Sequence, residues 1–477
     1  MVQRVETVVD VAAPRQADDR ETTTPTNKRQ LLVALMLPQA MVVTNLAVMS
    51  VALPAIRETF NAPIDLMAWV ITIYTLPYVA LMPLYGRLGE SLGIRRMLLV
   101  SAAIFLAGTA LSTLSQSLPL LLLGRFIQGA GASGIVPLAI TMITRVFPEA
   151  TRGRALGQWN SIGPVASVVA SLLGGIIIDT LGWPVIFLLP LLTGGAAIAM
   201  VYRAARTPEP PLRLRALHGF DWGGVLLLSA TLAAFLFYIT SRSITGRPPL
   251  SDWRLLLASI ALSATFVWHE HRRATPFIDL SILSDTNLLK TCLCSATRMF
   301  VMSSTAFLIP LFLADLAGLS ATTTGVIVMI RAAALFPTMY FGGRIADAWG
   351  SRRPILLGLG IQTASLVLLG LAGSNGGSVW VAVGLLVNGL SAGLALPALH
   401  RAAMEGPDEK RGGAAAGVYS MIRFWGMMLG TAVAGVLLQS LLDRGTSPLT
   451  SYRLAYAATA IVGAIGVITA ATLRKDR

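Results

Sequence analysis

Charge is scarce in this sequence. Asp, Glu, Lys and Arg together make up 13% of its 477 residues, about half the share found in soluble domains. That excludes a soluble enzyme. A disordered or collagen-like chain is excluded too, because hydrophobic residues reach 55% and mean hydropathy is +0.70. Cysteine is nearly absent. Cys292 and Cys294 share one apolar segment, so neither a disulfide framework nor a zinc pattern can be built from them. They read as small core or lipid-facing residues. The net charge is +14, yet no stretch interleaves basic and aromatic side chains as a nucleic-acid surface requires, so nucleic acid is not an expected partner. The first thirty residues lack the apolar core and small-residue cleavage site of a secretory signal. They read as a polar, disordered tail over 1–30.

Long apolar runs are abundant. A bilayer core takes about 20 residues of helix, and the chain offers fourteen candidate spans: 31–54, 67–85, 97–114, 119–142, 155–178, 184–202, 222–240, 252–268, 289–313, 320–342, 354–372, 378–398, 413–437 and 454–473. The fold class expected is therefore an all-α integral membrane protein with 14 transmembrane helices. An even number places both termini on one side. With the tail inside, the inner connections hold 27 Lys and Arg and the outer ones 6. Basic residues collect on the cytoplasmic side, so both termini are expected there. The four histidines, His218, His269, His271 and His400, then fall in or beside cytoplasmic loops, and His269-Glu270-His271 reads as a solvated interfacial cluster rather than a metal site. Arginine outnumbers lysine 33 to 4, which fits a GC-rich bacterial source and the bacterial inner membrane.

The chain repeats itself. Gly86-Arg87-Leu88-Gly89-Glu90-Ser91-Leu92-Gly93-Ile94-Arg95-Arg96 follows the second span. Gly343-Arg344-Ile345-Ala346-Asp347-Ala348-Trp349-Gly350-Ser351-Arg352-Arg353 follows the tenth. The shared pattern is Gly-Arg-x-x-acid-x-x-Gly-x-Arg-Arg, offset by 257. Gly124, Gln128, Gly129 and Pro137 echo in Gly384, Asn388, Gly389 and Pro397 at offset 260. Repeats at matching topological places imply two halves. These are two six-helix bundles, 31–203 and 289–473, with two extra central helices within 222–268.

On these residues the chain resembles the major facilitator superfamily, and within it the fourteen-span drug:proton antiporters. The loop pattern is the hallmark. Ala52-Leu53-Pro54, Trp69, Tyr74, Arg125 with Gln128, Gly129 and Gly131, and Gly174-Gly175 are also family-like. The family's span-five Gly-Pro pair stands earlier here, at Gly163-Pro164, and Ala170-Ser171 occupies its usual place. The resemblance implies alternating access, a small-molecule substrate, protons as coupling ion, a periplasmic adaptor protein as a candidate partner, and no cofactor or metal. It also implies that the motif loops gate one face of the cycle.

In that reading Gly86 and Gly343 let helices approach and turn tightly. Glu90 and Asp347 lie at a helix N-terminus or pair with Arg87, Arg95, Arg96, Arg344, Arg352 and Arg353, while Gly93 and Gly350 complete the pattern. Gly157, Gly163, Pro164, Gly174 and Gly175 are expected to pack closely and kink their helix.

Ionisable groups inside spans are costly and mark function. Only Arg125, Arg298, Arg331 and Arg423 qualify, and no acidic residue sits in the middle of a span. The resembling family places an aspartate upstream of Ala-Leu-Pro in span one, where this chain has Asn45. The usual proton-carrying carboxylate and counter-charge for cations are thus missing. Arginine holds its proton but binds carboxylates and phosphates well. The candidate substrate pathway is Asn45, Tyr74, Arg125, Gln128, Arg298, Arg331 and Arg423. The other reading of the arginines is pairing with backbone carbonyls or amides at helix gaps, and of Asn45 an interhelical hydrogen bond. Asp179, Asp315, Glu90 and Asp347 are the nearest candidate proton sites. Two functions follow. One is an exporter of drug-like or anionic compounds, with proton antiport implied by the resemblance. The other is an uptake or exchange system for an organic anion without proton coupling. A membrane enzyme would need clustered carboxylates or a nucleophile with its base, and none is placed for it.

Overall fold

The computed structural model describes residues 28–204, 221–242, 246–273, 278, 280–372, 377–405 and 412–474. The tail before residue 28 and His218 lie outside the described residues. The described chain is all helix. In order, the helices are α1 Lys28–Phe60, α2 Ile64–Leu92, α3 Ile94–Thr113, α4 Leu118–Ala132, α5 Ile135–Val146, α6 Glu149–Leu181, α7 Leu188–Ala204, α8 Trp222–Ile239, α9 Trp253–Arg272, α10 Thr286–Asp315, α11 Ala321–Trp349, α12 Arg352–Leu371, α13 Gly377–Met404, α14 Gly412–Asp443 and α15 Pro448–Ala471. Two short 3-10 turns, Trp183–Phe187 and Leu280–Ser284, precede α7 and α10.

Helices α4 and α5 together form one apolar stretch, Leu118–Val146, interrupted at Ser133-Gly134. So counted there are fourteen helices among the described residues, and thirteen of them are long and apolar enough to cross a membrane. The exception is α9. Its body is apolar, but Arg254 sits in its first turn and His269, Glu270, His271 and Arg272 fill its last.

Capping marks several starts. The side chains of Asp221, Asp252, Asp285, Ser320 and Ser447 accept from backbone amides of the first turns of α8, α9, α10, α11 and α15. Each satisfies a donor that a new helix leaves open. Most helices outrun their expected spans. Pro54 does not end α1, which continues to Phe60, and α13 runs to Met404 rather than 398.

Packing divides the helices. α1, α3, α4 and α7 pack on one another and on α2 and α6, and α10 to α15 pack mainly among themselves. The strong crossings between these sets are α6 with α11 and α2 with α14. α8 lies against α2 and α14, through Trp69–Phe237 and Phe235–Trp425 ring contacts, and α9 packs on α8. Between α8, α9 and Trp425 is an apolar cavity of about 650 Å³, whose lining includes none of the candidate pathway residues. Cys292 and Cys294 are buried, as the sequence suggested.

The solvated reading of His269-Glu270-His271 needs correction. Glu270 is buried and accepts from the Ile278 amide at 3.1 Å. His269 Nε2 lies 2.7 Å from Asp221 Oδ1, tying the end of α9 to the start of α8. Burial by itself would raise the Asp221 pKa. Hydrogen bonds from His269 and the Gly224 amide, with the charges of His269 and Arg273, outweigh it and hold the carboxyl below its usual range.

Candidate functional site

Two buried polar groups occupy the interior, one in each set of helices. The first is built around Arg125 of α4, which has no exposed surface. Its Nε donates to the Val70 carbonyl at 3.0 Å, and its Nη1 donates to Asn45 Oδ1 and, at 2.8 Å, to Gln128 Oε1. Gln128 Nε2 donates onward to Thr109 Oγ1 at 2.9 Å. The guanidinium lies over the Tyr74 ring, 4.5 Å from its centroid. Asn45, Tyr74 and Gln128 are also buried. All four residues expected on this side are therefore together, in a buried nest joining α1, α2, α3 and α4, where Arg125 Nη2, Asn45 Nδ2 and the Tyr74 hydroxyl lack a partner among the described residues. Glycine permits it. A Cβ at Gly129 would collide with the Tyr74 carbonyl.

The second group is looser. Arg298 of α10 has only Met299 Sδ, 3.4 Å from Nη2, and its Nε is buried without a partner among the described residues. Arg331 of α11 donates to the Met302 carbonyl at 3.1 Å. Arg423 of α14 lies 4.5 Å from the Phe424 ring centroid and 5.9 Å from that of Tyr419, and its Nη1 is 3.1 Å from His400 Nε2. The Arg423 Nε likewise lacks a partner among the described residues. Arg331 and Arg423 are half-buried and His400 is exposed, so this group reaches open space. Phe424 contacts Tyr78 edge to face at 5.0 Å, and Tyr78 stacks on Tyr74. One aromatic chain thus runs from the first group to the second.

The internal repeat is visible in these contacts. Gln128 bonds Thr109, and Asn388 donates to Ser365 Oγ at 3.1 Å. Gly129 presses on the backbone of Tyr74, and Gly389 on that of Arg331, the residue 257 positions later.

The motif residues depart from their expected form. Gly86 to Leu92 and Gly343 to Trp349 are the last turns of α2 and α11, not loops. Only Gly93 and Gly350 turn the chain, at φ 102° and 75°, a region that favours glycine. Gly86 and Gly343 do not mediate close approach, since nothing lies within 4 Å of a Cβ placed there. Gly89 and Gly342 do that instead, against Leu138 and the Gly393 carbonyl. Glu90 and Asp347 sit at helix C-terminal ends, not N-termini. Glu90 is exposed. Asp347 accepts from Arg401 at 3.2 Å, and Arg401 also donates to Glu405 and the Ala346 carbonyl. Nothing in the sequence pattern singles out Arg401.

Arg95 donates to the Tyr202 carbonyl near the end of α7, and Arg352, its repeat equivalent, to the Ala471 carbonyl at the end of α15. Both place a cation on the carbonyl end of a helix. Arg96 donates to the Leu92 carbonyl at the end of α2, and Arg344 stacks 4.6 Å from the Tyr340 ring centroid.

Span-five packing is divided as well. Gly174 meets Val48 and Gly175 meets the Ala321 backbone. Gly157 has open space around it and Gly163 only Val43 at 3.9 Å, so close packing fails at both. Pro164 lies inside α6 without interrupting it.

At the end opposite the motif, the two sets of helices are joined. Asp179 accepts from the Ala321 and Thr322 amides at 3.0 and 2.8 Å, at the start of α11. Gln439 of α14 accepts from the Ile64 amide at 2.8 Å, at the start of α2. Arg57 Nη1 donates to Asp315 at 2.9 Å, and Tyr452 to the same carboxylate at 2.8 Å. Two of the expected proton sites, Asp179 and Asp315, are thus members of an interhelical seal. At the motif end, Gly153, Gly157, Gly343 and Gly417 face space with nothing within 4 Å.

Sequence reading misses the role of His400. The span pattern sets it in or beside a loop, but α13 carries it inside the helix and onto Arg423. The signal available is the length of the apolar pattern, which continues through Ala402 and Ala403. Among the described residues no group of three His, Cys, Asp or Glu is arranged to hold a metal.

The Major Facilitator Superfamily profile matches residues 35–431 and 291–477. The chain is 28% identical to Multidrug resistance protein Stp of Mycobacterium tuberculosis over 427 residues, covering 88% of this chain and 78% of that protein. Drug efflux pump JefA of the same organism is 28% identical over 416 residues, covering 86% of this chain and 80% of that protein. Among solved structures, a D-xylose-proton symporter superposes with a TM-score of 0.68 at 13% identity, covering 93% of this chain and 97% of the other.

Proposed function

This chain belongs to the major facilitator superfamily, and from that premise we propose that it exports drug-like or anionic small molecules by alternating access, coupled to proton entry. It is a multi-pass membrane transporter, not an enzyme. The proposal places it in the fourteen-span drug:proton antiporter branch. Its halves are then the six-helix bundles 31–203 and 289–473, with linker helices within 222–268. The segment 1–30 and the C-terminus face the cytoplasm, in the bacterial inner membrane. The motif end is then cytoplasmic, and the seal of Arg57, Asp179, Asp315 and Gln439 closes the outer side.

The observation that carries the reading is the partly open group of Arg298, Arg331 and Arg423 beneath that seal. Each of its guanidinium groups has a single hydrogen-bond partner among the described residues, and Arg331 and Arg423 are half-buried, which suits a site awaiting an acceptor. The names of the matched relatives support export of drugs. The Arg125 nest then supports the pathway rather than lining it.

The test is dye accumulation in an efflux-deficient bacterium, using cationic, neutral and anionic dyes with and without a protonophore. Export predicts lower accumulation of at least one class, restored by protonophore and by Arg423→Ala. Unchanged accumulation of every dye sinks the proposal. A second reading, anion uptake or exchange without proton coupling, is favoured by Asn45 standing where a carboxylate is expected. Anion movement insensitive to protonophore would select it.

A further inference from the structure

We infer that His400 is the proton-binding residue of the transport cycle, with Arg423 as the partner that reads its protonation state. The inference rests on the proton-coupled reading above and supplies the titrating group that the spans otherwise lack.

The chemistry begins with the pair itself. Arginine only donates hydrogen bonds. The contact of Arg423 Nη1 with His400 Nε2 at 3.1 Å therefore requires Nε2 to be an acceptor. The imidazole must be neutral, with its proton on Nδ1. A proton arriving at Nε2 removes the acceptor and sets two cations against each other. The pair must then separate. Protonation and release are simple: one proton joins Nε2, the Arg423 hydrogen bond breaks, and the reverse step restores it.

The surroundings suit a switch. His400 is exposed while its helix neighbours Ala398, Leu399, Ala402 and Ala403 are buried, so a proton can reach it from the open side. From α14 it faces Arg423 and Tyr419, whose ring centroid is 5.5 Å away. From α10, Arg298 acts on it by charge. Tyr419 is held by Ser295 of α10, 3.0 Å away. The other helices packed on α13 bring no competing partner among the described residues. Arg331 of α11 stands at the level of Gly389, eleven residues or roughly 16 Å along the helix. Asp347 of α11 is taken by Arg401, and Arg352 of α12 by Ala471. Among the described residues no carboxylate pairs with His400, so nothing there offsets a charge on its ring and protonation separates the pair.

Protonated His400 releases Arg423 and so unties α13 from α14, and loss of the proton lets His400 recapture Arg423 and rejoin them. Proton binding and the α13–α14 tie are thus two outcomes of one hydrogen bond.

The experiment has two arms on the full-length protein. The first labels histidine with ¹⁵N in detergent micelles and assigns His400 by its loss in His400→Gln. Wild type at pH 7 should show a neutral ring with Nε2 unprotonated, and Arg423→Leu should lose that tautomer preference. A charged ring, or the opposite tautomer, overturns the inference whatever the protein transports. The second arm uses proteoliposomes with whichever of ethidium, Nile red or calcein the wild type moves. In His400→Gln the new amide oxygen can still accept from Arg423, but the side chain cannot be protonated. That variant should keep the wild-type fold, read as its unfolding temperature in detergent. It should lose at least about tenfold of pH-gradient-driven accumulation. Gradient-driven transport equal to wild type in His400→Gln overturns the inference. A wild type that moves no dye overturns the proposed function instead, and the first arm still judges the pair.

Discussion

The two arginine groups differ in how many hydrogen-bond partners each guanidinium has. Arg125 is enclosed, with three hydrogen-bond partners and an aromatic face. Arg423 is half-open, and its partner is a titratable ring. Both are single cations inside a membrane-spanning bundle. The difference teaches that an intramembrane charge is not functional by its presence alone. A charge whose acceptors are all internal holds helices together. One whose partner can be withdrawn by a proton or replaced by a ligand is available for work.

The sharpest way to break this comparison is Arg125→Ala. It leaves Asn45, Gln128 and the Val70 carbonyl without their donor, at a cost of about 3–5 kcal/mol. A lower unfolding temperature in detergent and poor expression are expected. If the variant is as stable as wild type and loses only transport, the nest belongs to the pathway. Asn45→Asp sharpens the same point. It sets a carboxylate against Arg125 and should leave the fold intact without creating a free proton site, so the pH dependence of transport stays unchanged.

Arg423→Ala should do the reverse of Arg125→Ala. Stability changes by about 1 kcal/mol or less because the side chain lacks a closed set of partners, while transport falls at least about tenfold, or roughly 1.4 kcal/mol in the rate. Unfolding temperature and dye transport measured on one preparation separate the two.

Smaller effects are expected at the ends. Asp315→Asn weakens its partly exposed pair with Arg57, worth about 1 kcal/mol. The population with that end open should rise about fivefold, read as spin-label distance between the ends of α1 and α10. Asp221 gives a pH effect. Its folded pKa is depressed, so its stabilisation is present above the unfolded value of about 3.9 and disappears as pH falls through the lower folded value. Asp221→Asn should flatten thermal stability between about pH 5 and pH 3 relative to wild type. Asp347→Asn should cost about 0.5 kcal/mol or less, since Asp347 is 79% exposed and Arg401 keeps Glu405. Denaturant titration checks it.

Much of the architecture was legible along the chain. Apolar runs of bilayer length, the excess of basic residues in alternate connections, and a motif repeated at offset 257 follow from local composition. They fix which segments become helices and that the chain is built twice. The same reasoning found Arg125, Asn45 and Gln128, because a charge in an apolar run is conspicuous whatever surrounds it. Their roles were not legible. Asn45 and Arg125 are 80 residues apart, and only helix packing brings Oδ1 to Nη1.

The pairing of His400 with Arg423 was hidden for a further reason. α13 extends past its apolar core, so a residue expected in or beside a loop lies on a helix beside Arg423 of α14. Gly86 and Gly343 looked like contact glycines, yet contact depends on what stands opposite, and there nothing does. Asp179 and Asp315 stood out as candidate proton sites, but the sequence did not show that the start of α11 and the side chain of Arg57 are their partners. By itself, then, the sequence determined helices, their number and the repeat, since these arise from hydrophobic length and local charge. Only the tertiary structure decided which polar groups are closed and which are available, because satisfaction of a hydrogen bond depends on partners distant in sequence.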